Sequence, residues 1–298
     1  MPNHIQQSLV RLHAAVLLFG LSAILGDLIS LSSAPLVFWR LLISALVLLL
    51  ILALTEGFSK MMDVAWKVRM VWLGIGIVMA IHWVAFFASI KTANASVALV
   101  CLATSSFFTA LLEPYFLGSK IQRMQVLWSL LVIPGMALVM GGVSTSMLTG
   151  VGWGLLSAFL LAVVGVLNKK LVWEGSPLMI SFVEICAGSI FMGTLLLLYY
   201  ANSEEPLRPQ ASDWSYLIVL AVGCTVIGQI LALGALRHLS AFTSMIALNL
   251  EPIYGILLAH LWLQEGEELS TTFYIGVLLI LAAIFIPLIL SAGSSKPT

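Results

Sequence analysis

Residues 235–266 read ALRHLSAFTSMIALNLEPIYGILLAHLWLQEG and contain the pattern from which the fold can be predicted. The run 240–262 can cross a bilayer as one helix, since a crossing needs about 20 mostly apolar residues. Its middle holds Asn249, Glu251 and Pro252. A proline removes a backbone hydrogen bond from a helix, so we expect this membrane helix to be interrupted at midspan.

A similar pattern occurs earlier in the chain. A shift of 146 residues lays residues 89–120, SIKTANASVALVCLATSSFFTALLEPYFLGSK, over this stretch, with Lys91 on Arg237. A shift of 142 residues lays SSAPLVF at 32–38 over EGSPLMI at 174–180. Two registers that differ by so little indicate a duplication with a small insertion or deletion.

The two copies differ at the position of the proline. Ser106 stands in the earlier copy where the later copy has Pro252. A Glu113-Pro114 pair occurs instead near the end of the earlier run. The sequence therefore leaves open whether the earlier helix is also interrupted.

The composition is that of a membrane protein. Hydrophobic residues form 61% of the 298 residues and charged residues 9%, whereas a soluble protein carries about 25% charged residues. A water-soluble fold is therefore excluded, and the lipid bilayer is the expected surroundings. The first apolar run is too long for a cleaved signal peptide and lacks its small-residue cleavage site, so we expect it to be retained. The three cysteines lie in apolar runs and indicate neither a disulfide nor a metal site.

Apolar runs between polar or Gly, Pro and Ser breaks predict ten membrane helices. Their predicted bounds are 11–29, 35–54, 70–90, 95–117, 122–141, 151–171, 177–200, 214–236, 240–262 and 271–291. The two longest connections, 55–69 and 201–213, need be no more than loops. Little chain remains for a soluble domain.

Lysine and arginine concentrate in the connections on one side of the predicted membrane. Ten lie in the predicted inner segments, only Lys91 and Arg208 lie in outer ones, and Arg40 lies within a span. Because cytoplasmic loops hold the excess of basic residues, both termini are expected in the cytoplasm. We therefore expect a multi-pass protein of the plasma membrane, the inner membrane in a bacterium.

Five predicted helices fall in residues 1–145 and five in residues 146–298. Because five is odd, the second copy must enter the membrane from the opposite face. Inverted repeats of this kind allow alternating access to a site near the midplane, between the halves. The predicted fold is all-α and integral to the membrane, with ten transmembrane helices in two inverted five-helix repeats.

The chain resembles the EamA type of the drug/metabolite transporter superfamily over essentially its whole length. The resemblance is carried by FWRLLIS at 38–44 and by the basic residue, small residues, leucine-rich helix and late acid of residues 237–265. It implies a carrier of small polar or amphipathic molecules, often amino acids or related metabolites, and often an exporter.

Ionisable residues inside a membrane are costly, so they are candidates for binding or coupling. Glu251, with Asn249 and Tyr254 within a turn, is predicted to bind cargo or carry a coupling proton; the alternative is a structural hydrogen bond to a neighbouring helix. Glu184 is a second coupling candidate, which could bind a cargo amino group or pair with Arg40. Arg40 is a candidate for a cargo carboxylate, unless its long side chain extends to the outer boundary.

An aromatic group occurs midway along the third predicted span. His82 and Trp83 are followed one turn later by Phe86 and Phe87, so the four side chains share adjoining helix faces. They are predicted to line a pocket in which His82 forms a hydrogen bond or carries a proton, or else to pack against neighbours or lipid. Gln229, midway along the eighth span, is predicted to recognise cargo or to cross-link helices.

Other residues near predicted span ends are expected to anchor the protein at the membrane interface. The polar members are Asp27, Asn168, Lys169 and Lys170. The tryptophans of the expected aromatic belt are Trp72, Trp128, Trp153, Trp173, Trp214 and Trp262. Glu113 is expected to be solvated or paired with Arg123.

Two other classes of protein fit an apolar chain of this length. A channel or structural membrane component is the first alternative, and an integral-membrane enzyme is less well supported because no catalytic or metal-binding cluster of residues occurs. No nucleotide-binding motif or cofactor signature is present, and no nucleic acid partner is expected. The expected partners are a small-molecule substrate and lipid, with proton coupling left open, and the expected state is a monomer or weak dimer.

Overall fold

The structure is a computed structural model that describes residues 2–55, 57–118, 127, 132–199, 206–262 and 270–294. These residues form helices and their connections, and the described part of the chain contains no strand. The helices in chain order are α1 (Pro2–Leu28), α2 (Ser33–Thr55), α3 (Ser59–Asp63), α4 (Trp66–Thr92), α5 (Ala95–Ala103), α6 (Ser105–Leu117), α7 (Val132–Gly142), α8 (Leu148–Leu171), α9 (Pro177–Tyr199), α10 (Asp213–Leu236), α11 (Ala241–Leu248), α12 (Glu251–Trp262) and α13 (Thr271–Ser294).

Seven helical segments of the described residues are long and apolar enough to cross a membrane. They are His4–Leu28, Ser33–Thr55, Trp66–Thr92, Ala95–Leu117, Thr145–Leu171, Pro177–Leu198 and Asp213–Leu236. The predicted ninth span is the pair α11 and α12, the tenth is α13, and the fifth lies only partly within the described residues, where α7 covers its end. An all-helical fold with several membrane helices is thus confirmed, while the number ten stays a prediction.

One predicted loop is partly helical. The connection 55–69 was expected to need no regular structure, but α3 lies within it and α4 begins at Trp66. The other long connection, 201–213, lies partly outside the described residues.

Both copies of the duplicated stretch are interrupted helices. Between α5 and α6 the chain turns at Thr104, and between α11 and α12 it turns at Asn249 and Leu250. Thr104 and Leu250 correspond under the shift of 146 residues. The earlier copy therefore has its own break without a helix-interior proline at that position, which answers the question that the sequence left open.

Hydroxyl groups account for the earlier break. The Thr104 Oγ1 donates to the Cys101 carbonyl over 2.6 Å, and the Ser106 Oγ donates to the Ala103 carbonyl over 3.2 Å. Serine and threonine that bond to the backbone in this way compete with the helical hydrogen bonds and bend the helix. A cluster of hydroxyls thus takes the place that Pro252 has in the later copy.

Helices from the two halves of the chain pack closely where glycines remove side-chain bulk. α4 packs against α8 and α9, α1 packs against α10 and α12, and α7 packs against α13. At the crossing of α4 and α9, a Cβ built on Gly76 would lie 2.1 Å from the Glu184 carbonyl oxygen. In a membrane, such small residues allow the backbones to approach and gain contact energy.

Two basic residues that correspond under the same shift close the ends of helices in their own halves. The Lys91 Nζ donates to the carbonyls of Asp27 (3.1 Å) and Ile29 (2.6 Å), at the end of α1. The Arg237 guanidinium donates to the carbonyls of Val172 and Gly175, just beyond α8. These bonds satisfy carbonyl groups that a helix end leaves without partners.

Two acidic side chains form hydrogen bonds that join the halves to each other. The Asp213 carboxylate at the start of α10 accepts from the Ser30 backbone N–H (3.0 Å) and hydroxyl (2.7 Å). The Glu113 carboxylate of α6 accepts from the Phe242 N–H (2.9 Å) at the start of α11. Glu113 was expected to be solvated or paired with Arg123, which lies outside the described residues; its described partner is instead a helix N-terminus, where a negative charge is favoured.

Two expected interface anchors are buried. Trp72 is fully buried among the helices, so its place in an aromatic belt is wrong. Asn168 is 4% exposed, lines an internal cavity and donates to Glu184 of α9, so it does not anchor a span end. Trp153, Trp173 and Trp214 do keep exposed surface, as a belt requires, whereas Trp128 and the Trp262 side chain lie outside what is described.

Candidate functional site

A cavity of about 120 Å³ lies inside the bundle, walled by residues of both halves. From the first half, α1, α2, α4 and α5 contribute; from the second, α8, α10, α11 and the first residue of α12. Six of the predicted site residues line it: Arg40, His82, Trp83, Phe86, Gln229 and Glu251. An engineered cavity of about 150 Å³ holds a benzene molecule, so this space suits a small organic solute.

Arg40 of α2 is the cation of the cavity. Its side chain is 1% exposed, so the expectation that it could extend to the outer boundary is wrong. Its Nε donates to the Thr225 Oγ1 over 2.6 Å, and its guanidinium carbon lies 4.2 Å from the centre of the Trp83 ring and 5.6 Å from that of Phe87. Its Nη1 has no hydrogen-bond partner among the described residues, so this donor is available to a ligand.

Thr225, the hydrogen-bond partner of Arg40, lies in an irregular part of α10. Residues Val219–Ile227 form a π-helical stretch, and the Thr225 Oγ1 also donates to the Leu220 carbonyl over 2.8 Å. Such wide turns occur often at functional sites. Cys224 and Thr225 lie in this stretch and line the cavity, with Thr225 next to Arg40 of α2.

Glu251 begins α12 at the break in the duplicated helix. The side chain is 5% exposed, lines the cavity, and interacts electrostatically with Arg40. Asn249 lies at the same break and is buried, and neither polar atom of its amide has a partner among the described residues. Asn249 and Tyr254 do not line the cavity; Tyr254 packs beside Gly20 of α1.

Glu184 of α9 lies behind the cavity wall. Its carboxylate is 1% exposed and accepts through Oε2 from the Gln229 Nε2 (2.8 Å) and the Asn168 Nδ2 (3.5 Å). These two amides, rather than Arg40, are its described partners, so the predicted ion pair between Arg40 and Glu184 is not present as a hydrogen bond in the described residues. Asn168 and Gln229 both line the cavity, and each therefore connects Glu184 to it.

The aromatic residues of α4 divide between the cavity and the core. His82 stacks on Phe86 with ring centroids 6.4 Å apart, and its Nδ1 lies 2.9 Å from both the carbonyl and the hydroxyl oxygen of Ser157. Trp83 lines the cavity beneath Arg40. Phe87 does not line it and packs against Gly26 of α1.

Several lining residues were not predicted. Asn168, Thr225, Cys224, Ser22 and Ser244 bring polar groups or a thiol to the cavity. Thr225, Cys224, Ser22 and Ser244 lie in apolar runs and Asn168 lies beside two lysines, so nothing in the sequence shows that they share a surface. In the described residues no three His, Cys, Asp or Glu side chains converge in a way that could hold a metal ion.

Comparison with known protein families gives two matches along the chain. The model described as the EamA-like transporter family matches residues 9–141 and again residues 148–289. The two matches together span most of the chain, and each covers one copy of the predicted duplication.

Named relatives and a solved structure agree with these matches. The chain is 22% identical over 252 residues to the "Uncharacterized transporter YyaM" of Bacillus subtilis (strain 168), covering 83% of this chain and 81% of the relative. It is 22% identical over 231 residues to the "Uncharacterized transporter YxxF" of the same organism, covering 76% and 72%. A protein of known crystal structure aligns over 98% of this chain and 99% of its own length, with a TM-score of 0.68 and 17% identity, which shows a shared fold alone.

Proposed function

Since this chain belongs to the EamA-like transporter family, we propose that it carries a small polar or amphipathic metabolite, an amino acid or related compound, out of the cell across the plasma membrane. Membership of the family makes it a multi-pass membrane transporter. The observation that supports the finer proposal is the buried cavity between the halves, which offers the Arg40 guanidinium and the Glu251 carboxylate on one small surface.

The charges of the cavity suit a zwitterion. The unpaired Nη1 of Arg40 can donate to a carboxylate, and arginine binds planar anions well because its donors form a rigid fork. Glu251 brings a carboxylate to the same cavity, which can attract a cationic group. Trp83 and Phe86 provide an apolar wall for the remainder of the cargo, as is usual in pockets for small molecules.

Transport would proceed by alternating access of two five-helix halves, residues 1–145 and 146–298, with both termini in the cytoplasm. The two separate family matches support this division. The two corresponding helices are each interrupted near the depth of the cavity. This supports movement of the halves around the cavity, because transporters commonly bind cargo where membrane helices are discontinuous.

Flux into liposomes tests the proposal. Purified protein would be reconstituted and given a mixture of radiolabelled L-amino acids, with unlabelled amino acids on the opposite side. We expect saturable uptake that unlabelled amino acid inside the liposomes accelerates, because a carrier returns faster when loaded. Flux that rises linearly with concentration and ignores the opposite side would indicate a channel, and an absence of flux for every cargo class tried would refute the proposal.

Proton coupling would depend on Glu251 or Glu184. If either carboxyl carries the coupling proton, Glu251→Gln or Glu184→Gln should abolish the response of flux to a pH gradient and leave exchange of labelled for unlabelled cargo intact when cargo is saturating on both sides. Glu113→Gln serves as a matched control, because Glu113 lies at a helix end away from the cavity lining. Unchanged gradient dependence in both cavity variants would rule out coupling through these residues.

A further inference from the structure

Three polar side chains from three helices meet behind one wall of the cavity. Asn168 of α8, Glu184 of α9 and Gln229 of α10 are 4%, 1% and 6% exposed, respectively. The two amides also line the cavity, so the cluster adjoins it. No other described carboxylate shares a hydrogen-bonded cluster with two buried amides.

The direction of the hydrogen bonds follows from the carboxylate. An ionised carboxylate can only accept, so each amide must turn its NH2 group towards it. Both do so, at the same oxygen, Oε2 of Glu184. The carbonyl oxygens of the two amides consequently point elsewhere.

Three acceptor oxygens are left without donors. The Asn168 Oδ1, the Glu184 Oε1 and the Gln229 Oε1 are all buried and have no hydrogen-bond partner among the described residues. A buried polar atom without a partner is costly, so three unpaired acceptors on the side chains of one hydrogen-bonded cluster call for a donor from outside the protein, such as a ligand or water. All three lack the same thing, a donor.

The missing donor matches one chemical group. A primary ammonium carries a positive charge and three N–H donors and accepts no hydrogen bonds. Its three donors equal the three unpaired oxygens in number, and its charge complements the Glu184 carboxylate. A quaternary ammonium has the charge without the donors, and a carboxylic acid without an amine has neither.

We propose that Asn168, Glu184 and Gln229 form a subsite that binds the primary ammonium group of the cargo. The inference rests on the proposed function, since it assigns one end of the transported molecule. It adds a requirement that Arg40 and Glu251 alone do not impose: the cargo must have an unsubstituted amine. Gln229 and Asn168 orient the subsite, because they occupy Oε2 of Glu184 and leave Oε1 for the ligand.

Thermal unfolding of the full-length protein tests the subsite without knowledge of the natural cargo. The probes are n-butylammonium chloride, tetramethylammonium chloride, sodium butyrate and sodium chloride at equal ionic strength. At ten times its dissociation constant, n-butylammonium should raise the melting temperature by about 2 °C, because a ligand that binds only the folded state stabilises it. Tetramethylammonium and sodium chloride should leave it unchanged. Sodium butyrate can bind only through Arg40 among the described cavity residues, so any rise that it causes should not depend on Asn168, Glu184 or Gln229.

Single substitutions locate the effect. Asn168→Leu, Glu184→Gln and Gln229→Leu should each remove most of the rise caused by n-butylammonium. Ser181→Ala is the matched control, since Ser181 is a buried polar residue of α9 that does not line the cavity, and the rise should persist in it. The comparison of n-butylammonium with tetramethylammonium needs only the wild-type protein, so the test holds even where a variant fails to fold.

The outcomes separate the subsite from transport. An equal rise with tetramethylammonium, an equal rise with sodium chloride, or a rise that persists in all three variants would overturn the ammonium subsite. Saturable amino-acid flux together with one of those results would leave the proposed function standing. Binding of n-butylammonium that depends on the three residues, without saturable flux of any cargo, would instead retain the subsite and refute transport.

Discussion

Gly76→Ala tests whether the close contact between α4 and α9 sets the position of Glu184. The added Cβ would lie 2.1 Å from the Glu184 carbonyl oxygen and 2.8 Å from its Cα. An ordinary contact begins near 3.4 Å, so the two helices would have to separate locally by about 1.3 Å. Overpacking of this kind costs about 1–3 kcal/mol, against a gain of about 0.5–1 kcal/mol from replacing a helical glycine by alanine.

Gly74→Ala provides the matched control on the same helix. Gly74 is exposed and a Cβ there meets no atom within 4 Å, so only the gain in helix stability applies. Gly188→Ala should have an intermediate effect on stability, since its Cβ would lie 3.0 Å from the Gly76 carbonyl oxygen. In thermal unfolding of the purified proteins, Gly74→Ala should therefore have the highest melting temperature, Gly188→Ala a lower one and Gly76→Ala the lowest. The highest and lowest should differ by several degrees.

The same substitution should impair binding as well as stability. A displacement of about 1.3 Å at Glu184 is enough to break its 3.5 Å bond to Asn168, because hydrogen bonds weaken steeply beyond this distance. Gly76→Ala should thus lose stabilisation by n-butylammonium, which Gly74→Ala keeps. Equal melting temperatures and equal ligand responses in the two variants would refute the reasoning.

Substitutions elsewhere address the cation of the cavity, the tie between halves and access to the site. Arg40→Lys should weaken cargo binding about tenfold in a thermal titration, equivalent to about 1.4 kcal/mol, because lysine lacks the planar group that stacks on Trp83. An unchanged dissociation constant would show that Arg40 does not contact the cargo. Glu113→Ala should lower the free energy of unfolding by about 1–2 kcal/mol, and Glu113→Gln by less, since glutamine can still accept from the Phe242 N–H. Equal losses in the two variants would show that this hydrogen bond does not contribute to stability. With the other two cysteines replaced by alanine, saturating cargo should slow modification of Cys224 by a small thiol reagent several-fold, and an unaltered rate would place the cargo elsewhere.

The membrane character and the later helix break could be predicted because each depends on local sequence. Long apolar runs are visible in the sequence itself. Pro252 cannot donate a backbone hydrogen bond, so it favours an interruption of the helix at that point. The earlier break at Thr104 was left open because hydroxyls bend a helix only when they bond to the backbone. Residues with that ability occur throughout the chain, so their presence alone predicts nothing.

The site could be predicted only in part, because its geometry depends on which helices meet. The buried Arg40, His82 and Glu251 were recognisable as polar groups in apolar runs. Asn168 was placed at the interface because two lysines follow it, whereas it is buried beside Glu184 of α9 and lines the cavity. Its bond to Glu184 and the bond of Gln229 to the same oxygen join three separate helices, which no spacing in the sequence reveals.

The paired bonds of Lys91 and Arg237 have a consequence for movement. Each holds the end of a helix in its own half, so relative rotation of the halves would leave both bonds intact. The bonds of Glu113 and Asp213 differ, because each spans the two halves, and α10 separates them along the bundle. If the halves turn against each other, bonds that span them are lost on the side that opens, whereas the bonds of Lys91 and Arg237 move with their own halves.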